Sequence, residues 1–118
     1  MRRILLIDDN EPLLACERVG LIEEGYDVTD VPRLDLGLLE AKNGSFDCVI
    51  VDKNIGGHRG VVPFLDFMQE ERPTTPVILF SAEDGKQARK ELYCHEFVSK
   101  QSLSKELYLA IERVLSGN

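Results

Sequence analysis

The chain has 118 residues, enough for one domain whose core needs no disulfide or metal to hold it together. It carries 14 basic and 21 acidic residues, a net charge of -7, and so lacks the basic footprint that direct binding to nucleic acid or an anionic membrane requires. The apolar run at residues 4–7 is far too short for a signal-peptide core or a membrane span. We therefore expect a cytoplasmic protein with a single domain, residues 1–118.

The cysteines and histidines give no sign of a metal site. Cys16, Cys48 and Cys94 are far apart and odd in number, and no Cys or His pair shows ligand spacing. We interpret the cysteines as small core residues in a reducing compartment. We assign no metal or catalytic role to His58 or His95.

Five segments have the composition of β-strands. Four are short apolar runs without strict alternation, at residues 4–7, 48–51, 77–80 and 97–98. Such runs are typical of strands that are buried on both faces of a sheet. Residues 26–31 alternate more, which favours a partly exposed or edge strand.

The first predicted helix follows residues 4–7. Asn10 is its expected N-cap, Pro12 lies in its first turn, and Gly25 ends it. Its predicted buried stripe consists of Ala15, Val19 and Ile22.

Helical patterns also fill the later gaps between strands. Weak ones span residues 33–43, ended by Asn43-Gly44, and residues 84–92, where only Ala88 and Leu92 are expected to face inward. A stronger helix, closed by Pro73, buries Val61, Phe64, Leu65 and Met68. The last, with Ser102 as N-cap and Gly117 past its end, buries Leu103, Leu107, Ala110, Ile111 and Val114.

A strand followed by a helix thus occurs five times. Parallel strands with right-handed crossovers place helices on both faces of one sheet. The sequence predicts an α/β fold, a single doubly wound (βα)5 sandwich with a five-stranded parallel sheet.

Polar side chains follow the buried strands, where such sheets bind their ligands. Asp8 and Asp9 follow the first run, Asp52 the second, Ser81 the third, and Lys100 comes soon after the last. Three close carboxylates repel and stay ionised with a cation present, and Mg²⁺ prefers oxygen ligands. A carboxylate among donors that stabilise a phosphoryl group is also a competent nucleophile for an acyl phosphate.

These residues resemble the receiver domain of two-component response regulators. The resemblance covers Arg3 to about Leu115 and rests on "LLIDDN", "VIVDKN", "LFSAE" and "FVSK", in that order and at intervals that suit the family. It implies that Asp52 accepts a phosphoryl group from a histidine kinase. It further implies that Asp9 binds Mg²⁺ directly, that Asp8 orients a metal-bound water or shares the ligation, and that the Asn54 carbonyl completes the ligands.

The resemblance also assigns a response to phosphorylation. Ser81 would swing toward the phosphoryl group, Lys100 would pair with it, and Phe97 falls where the family carries its switch aromatic. The implied partners are a sensor histidine kinase or phosphotransfer protein, and a downstream effector or a covalently linked output domain, with no output domain within these 118 residues. Such a domain catalyses only its own phosphorylation and dephosphorylation, so we expect no conventional enzyme.

Several positions depart from the family pattern. Gln101 follows Lys100 where the family usually has proline. The turn there need not have the usual geometry, so the Lys100 side chain need not extend to the acidic side chains. Gly56 replaces another common proline, and with Gly57 and Gly60 it predicts a mobile loop. Tyr93-Cys94 replaces the usual small residues, which is costly if the backbone there is left-handed.

Asn54 and Glu83 occupy the positions that flank the path of the hydrolytic water in this family. Polar side chains at both positions should leave that path open, so we predict a short-lived phosphoryl group.

Other readings of the same residues remain open. Asp8-Asp9-Asn10 and Ser81 are also suited to cap helices, Asp52 to a turn, Lys100 to a solvated surface and Phe97 to the core. One alternative function is a pseudo-receiver that no longer cycles and acts as a protein-interaction scaffold. Another is a hydrolase of the haloacid-dehalogenase kind, which the Asn two residues after Asp52 argues against.

Overall fold

A computed structural model describes residues 1–57, 59–82, 91–102 and 104–117. Its sheet has five parallel strands in the order β2-β1-β3-β4-β5. Their bounds are β1 Arg3–Ile7, β2 Asp27–Val31, β3 Cys48–Asp52, β4 Val77–Ser81 and β5 Glu96–Ser99. The five predicted strands are confirmed, and the alternating β2 does lie at an edge.

In the described part of the chain, a helix follows each of β1, β2, β3 and β5. These helices are α1 Glu11–Glu23, α2 Leu34–Asn43, α3 Val62–Glu71 and α4 Ser104–Leu115. Most of the helix predicted at residues 84–92, with Ala88, lies outside the described residues. The predicted class, a doubly wound α/β sandwich, is confirmed. No helix in the described ranges is long and apolar enough to cross a membrane.

Successive strand residues face opposite sides of the sheet and form two cores. One core joins the sheet to α2 and α3 and includes Leu5, Ile7, Val49, Val51, Leu79, Phe64 and Met68. The other joins it to α1 and α4 and includes Ile4, Leu6, Ile50, Ile78, Phe80, Leu14, Leu21, Leu107 and Ile111. The predicted inner faces of α3 and α4 are confirmed for the described residues, with Val114 only half-buried.

The predicted buried face of α1 is wrong. Ala15, Val19 and Ile22 are exposed, whereas Leu14 and Leu21 are buried. Apolar side chains surround this helix, so their spacing fits two phases, and the tertiary contacts select the one that turns Leu14 and Leu21 to the sheet.

The cysteines also differ from one another. Cys48 lies in the core, where burial raises the pKa of its thiol to about 12. Cys94 is half-buried and Cys16 is exposed, so the interpretation of Cys16 as a core residue is wrong. Cys16 lies beside the inner face of α1 that Leu14 and Leu21 form, rather than on it.

Local signals set the helix ends. The Asn10 side chain accepts a hydrogen bond from the Leu13 N–H at 3.2 Å, which confirms Asn10 as the N-cap. The expected cap at Ser102 stays a prediction, because Leu103, between Ser102 and α4, lies outside the described residues.

The Nδ1 atom of His95 accepts a hydrogen bond from the Val77 N–H at 3.0 Å, which is a structural role. His58 lies outside the described residues.

Candidate functional site

Three acidic side chains meet at the carboxyl ends of β1 and β3. The two strands are neighbours, with Ile7 paired to Val51, so the residues that follow them lie at one edge of the sheet. One carboxylate oxygen from each of Asp8, Asp9 and Asp52 lies within 4.8 Å of the other two. Asp8 and Asp52 are buried and Asp9 is exposed. The structure therefore brings the carboxylates of Asp8, Asp9 and Asp52 together at this edge.

Lys100 neutralises part of this charge. Its Nζ donates to Asp8 Oδ2 at 2.6 Å and lies 3.6 Å from Asp52 Oδ2. The backbone N–H of Lys100 donates to the Ser81 carbonyl at 2.6 Å, which fixes the turn after β5 to the end of β4. Gln101 supports this turn, because its side-chain amide donates to the Ala82 carbonyl at 3.2 Å. Lys100 therefore reaches the acidic side chains with glutamine in the usual proline position.

Asn54 links the phosphoacceptor candidate to Ser81. Its backbone N–H donates to Asp52 Oδ1 at 3.2 Å, and its side-chain amide donates to Ser81 Oγ at 3.3 Å. Its carbonyl oxygen accepts the Gly57 N–H at 3.1 Å, which leaves one lone pair for a further partner. Ser81 is fully buried. The serine hydroxyl is thus hydrogen-bonded to the loop that follows Asp52.

Burial and the neighbouring charges shift the acidity of these groups. Burial raises the pKa of Asp52, against the opposing effects of the Asn54 N–H and the Lys100 ammonium. Burial alone would lower the pKa of Lys100, but the hydrogen bond to Asp8 and the charges of Asp52 and Asp8 raise it above its usual value. The ammonium therefore stays protonated at neutral pH.

The site includes one acidic residue that the sequence analysis missed. Glu17 lies on the inner face of α1, and both its carboxylate oxygens are buried without a hydrogen-bond partner among the described residues. Burial, followed by the charge of Asp8, raises its pKa to about 7. Its position between Leu14 and Leu21, at helical spacing, is a signal that the correct phase of α1 would have revealed.

The remaining predicted residues lie on β5 and before it. Phe97 is half-buried and packs against the core formed with α2 and α3. Tyr93 does not have a positive φ, so its backbone is not left-handed and carries no cost of that kind. Its ring meets that of His95 edge-on, with centroids 5.4 Å apart.

The loop after β3 depends on its glycines. Gly56 has a φ of 78°, and a Cβ on Gly60 would lie 2.4 Å from the Gly56 carbonyl oxygen. No larger residue fits at Gly60 without moving the backbone. The expected mobility of this loop stays a prediction.

The three carboxylates suit a magnesium ion. Mg²⁺ binds hard oxygen ligands in an octahedron, and a cluster of oxygens within 4.8 Å has the chemistry and spacing of such a donor set. The Asn54 carbonyl, with its free lone pair, could supply another oxygen.

Comparison with known proteins agrees with the predicted fold and family. The family model described as "Response regulator receiver domain" matches residues 4–112. The glycerol metabolism activator of Pseudomonas putida is 30% identical over 125 residues, covering 100% of this chain and 56% of that protein. The uncharacterized transcriptional regulatory protein YkoG of Bacillus subtilis (strain 168) is also 30% identical, over 98% of this chain and 51% of its own length.

Solved structures have the same fold. The response regulator TrrA from Thermotoga maritima, solved in complex with Mg²⁺-BeF, superposes with a TM-score of 0.87 at 24% identity, covering 98% of this chain and 100% of that one.

The chain belongs to the response regulator receiver family and is a receiver domain of two-component signalling. Response regulators of this kind act with a histidine kinase and an output effector. The chain spans about half the length of the curated relatives it matches.

Proposed function

We propose that this domain is a phosphoacceptor that cycles between unphosphorylated and phosphorylated states in the cytoplasm. The observation that carries the proposal is the position of Lys100, whose ammonium bonds to Asp8 and lies 3.6 Å from Asp52. A fixed positive charge beside a buried carboxylate stabilises the charge that develops during phosphoryl transfer.

In the proposed reaction, an Asp52 Oδ atom attacks the phosphorus of a phosphohistidine in a histidine kinase or phosphotransfer protein. The new P–O bond forms as the P–N bond breaks, and the electron pair returns to the imidazole nitrogen. Hydrolysis reverses the modification: water attacks the phosphorus, the P–O bond to Asp52 breaks, and inorganic phosphate and a proton are released. No separate metabolite is turned over, so we do not class the domain as a conventional enzyme.

Magnesium would be held by Asp8, Asp9, Asp52 and the Asn54 carbonyl, and when bound it neutralises charge on the phosphoryl oxygens. The ammonium of Lys100 binds one phosphoryl oxygen. The Ser81 hydroxyl, now hydrogen-bonded to Asn54, donates to another.

Ser81 and Phe97 would report phosphorylation to the partner-binding surface. A contact made only in the phosphorylated state shifts the population of conformations, as such switching requires. The partner would be a downstream effector or a covalently linked output domain.

The pseudo-receiver alternative is not favoured, because the acidic cluster, Ser81 and Lys100 occur together at the strand ends. The match to the receiver family also argues against the haloacid-dehalogenase alternative.

Beryllofluoride with magnesium mimics the phosphoryl group and tests the proposal by NMR. Relative to spectra with magnesium alone, we expect shifts at the strand ends, Ser81 and Phe97, and none in Asp52→Asn. Wild-type spectra without shifts at the strand ends would favour the scaffold.

A further inference from the structure

Glu17 lines a cavity of about 150 Å³ between α1 and α4. The cavity extends from the end of β4 to the start of α4, and its other lining residues are Leu13, Cys16, Phe80, Lys100, Ser102, Ser104, Leu107 and Tyr108. Both carboxylate oxygens of Glu17 are buried, and neither has a hydrogen-bond partner in the described part of the chain. A buried carboxylate without a partner costs several kcal/mol when it is ionised, so this side chain is in an unfavourable environment unless another group compensates.

Among the described residues, the positive charge of Lys100 acts on three acidic side chains, those of Asp8, Asp52 and Glu17. Asp8 at the end of β1, Asp52 in β3 and Lys100 after β5 all act on the charge of Glu17. Burial, Asp8 and Asp52 favour its neutral form, and Lys100 favours its ionised form. Of the described residues that line the cavity, the other titratable ones are Cys16 of α1 and Tyr108 of α4.

We propose that Glu17 is a positioning residue for the phosphorylation of Asp52 and acts through Lys100. The ionised Glu17 carboxylate competes with the phosphorylation site for the Lys100 ammonium, and the neutral carboxyl does not. This role rests on the proposed function of Asp52.

The contacts of Lys100 leave room for this competition. Its ammonium has three N–H donors. One bonds to Asp8, whereas the 3.6 Å separation from Asp52 is too long for a good hydrogen bond. An ionised Glu17 beside the same cavity attracts the ammonium away from Asp52, because opposite charges attract each other more strongly at a partly buried site than in bulk water.

The proposal is tested by measuring how fast acetyl phosphate, a small phosphodonor, phosphorylates Asp52. The rate is measured as a function of pH with saturating magnesium. The informative quantity is the ratio of the Glu17→Gln rate to the wild-type rate, since effects of pH on the donor and on magnesium cancel. We expect a ratio near one well below the Glu17 midpoint and a rise toward about tenfold well above it, the equivalent of a coupling of about one pKa unit. Glu23→Gln, at an exposed position of the same helix, should keep a ratio near one at every pH.

The outcomes separate the two proposals. If Asp52 is modified and the ratio stays constant with pH, the role of Glu17 is contradicted and the proposed function stands. If wild-type Asp52 takes up no phosphoryl group, both fail.

A second measurement needs no phosphorylation. Carbon-13 NMR of the Glu17 carboxyl in the full chain should give a higher titration midpoint in Lys100→Met than in wild type, because the favourable charge is lost. Lys100→Arg should keep the midpoint close to wild type. An unchanged midpoint in Lys100→Met would show that the two residues are not coupled and would overturn the proposal.

Discussion

Lys100 and Asp8 form an ion pair across the carboxyl edge of the sheet, with Nζ and Oδ2 2.6 Å apart. The Asp8 side chain is 2% exposed and that of Lys100 is 14% exposed, so water screens the pair little. A buried pair of this kind is weak evidence for net stability, but the loss of one partner leaves a charge that is buried and uncompensated. The pair therefore holds the ammonium in place beside Asp52.

Lys100→Met should lower the free energy of unfolding by about 3 kcal/mol at neutral pH, because Asp8 loses its partner. The pKa of Lys100 is raised in the folded state, so the contribution of the pair is present throughout neutral pH and is lost as pH rises through the raised pKa. Urea unfolding measures the change. Lys105→Met, at an exposed position of α4, is the matched control. A loss in Lys100→Met no larger than in the control would contradict the account.

Glu17 should make stability fall as pH rises from about 4.5 to about 7. Its pKa is about 7 in the folded state and close to 4.5, the ordinary value for a glutamate, when unfolded, so the native state binds more protons over this range. Glu17→Gln should therefore stabilise the protein by roughly 1–2 kcal/mol at about pH 8 and have little effect at about pH 4. The expected stabilisation is smaller than the full pKa shift would give, because water can enter the adjacent cavity.

Urea unfolding of Glu17→Gln at the two pH values, with Glu23→Gln as control, checks this effect. A stabilisation that is equal at both pH values would show that the titration of Glu17 is not its source.

The inner face of α1 can be tested by a pair of adjacent substitutions. Leu21 is fully buried, whereas Ile22 is 46% exposed. Leu21→Ala should cost about 2–4 kcal/mol of unfolding free energy, because it removes core contacts and leaves a cavity. Ile22→Ala should cost less than about 1 kcal/mol. Equal losses measured by urea unfolding would mean that the helix is rotated from its position in the structure.

The helix α1 also shows where sequence reasoning fails. The strands could be predicted because buried β-branched runs have few other interpretations, and the strand order then brings Asp8, Asp52 and Lys100 together. Which face of α1 is buried could not be predicted, because apolar side chains lie all around this helix. Only its packing against the sheet selects Leu14 and Leu21 as the buried residues. Once the phase was wrong, Glu17 was assigned to no site.

The contacts within the site show a similar limit. The motifs bring Lys100 to the acidic cluster, but its hydrogen bond to Asp8 depends on side-chain conformations that no sequence spacing contains. The hydrogen bond from Asn54 to Ser81 likewise joins the loop after β3 to the end of β4, 27 residues later in the sequence.

The phosphoryl group on Asp52 should be lost within minutes rather than persist for many hours. Asn54 is exposed and polar, and together with Glu83, which lies outside the described residues, it should leave the path of the hydrolytic water open. Asn54→Val should lengthen the lifetime several-fold, because an apolar side chain would obstruct that path. The decay is timed after the phosphodonor is removed, and wild-type persistence for many hours would contradict the prediction.

The central claim is that Asp52 accepts a phosphoryl group with the help of magnesium. The mass of the intact chain, measured after incubation with acetyl phosphate and magnesium, tests this claim most directly. The account predicts that wild type gains the mass of one phosphoryl group, and that Asp52→Asn and wild type with a magnesium chelator gain none. An unmodified wild-type chain, or an equal gain in Asp52→Asn, would contradict it.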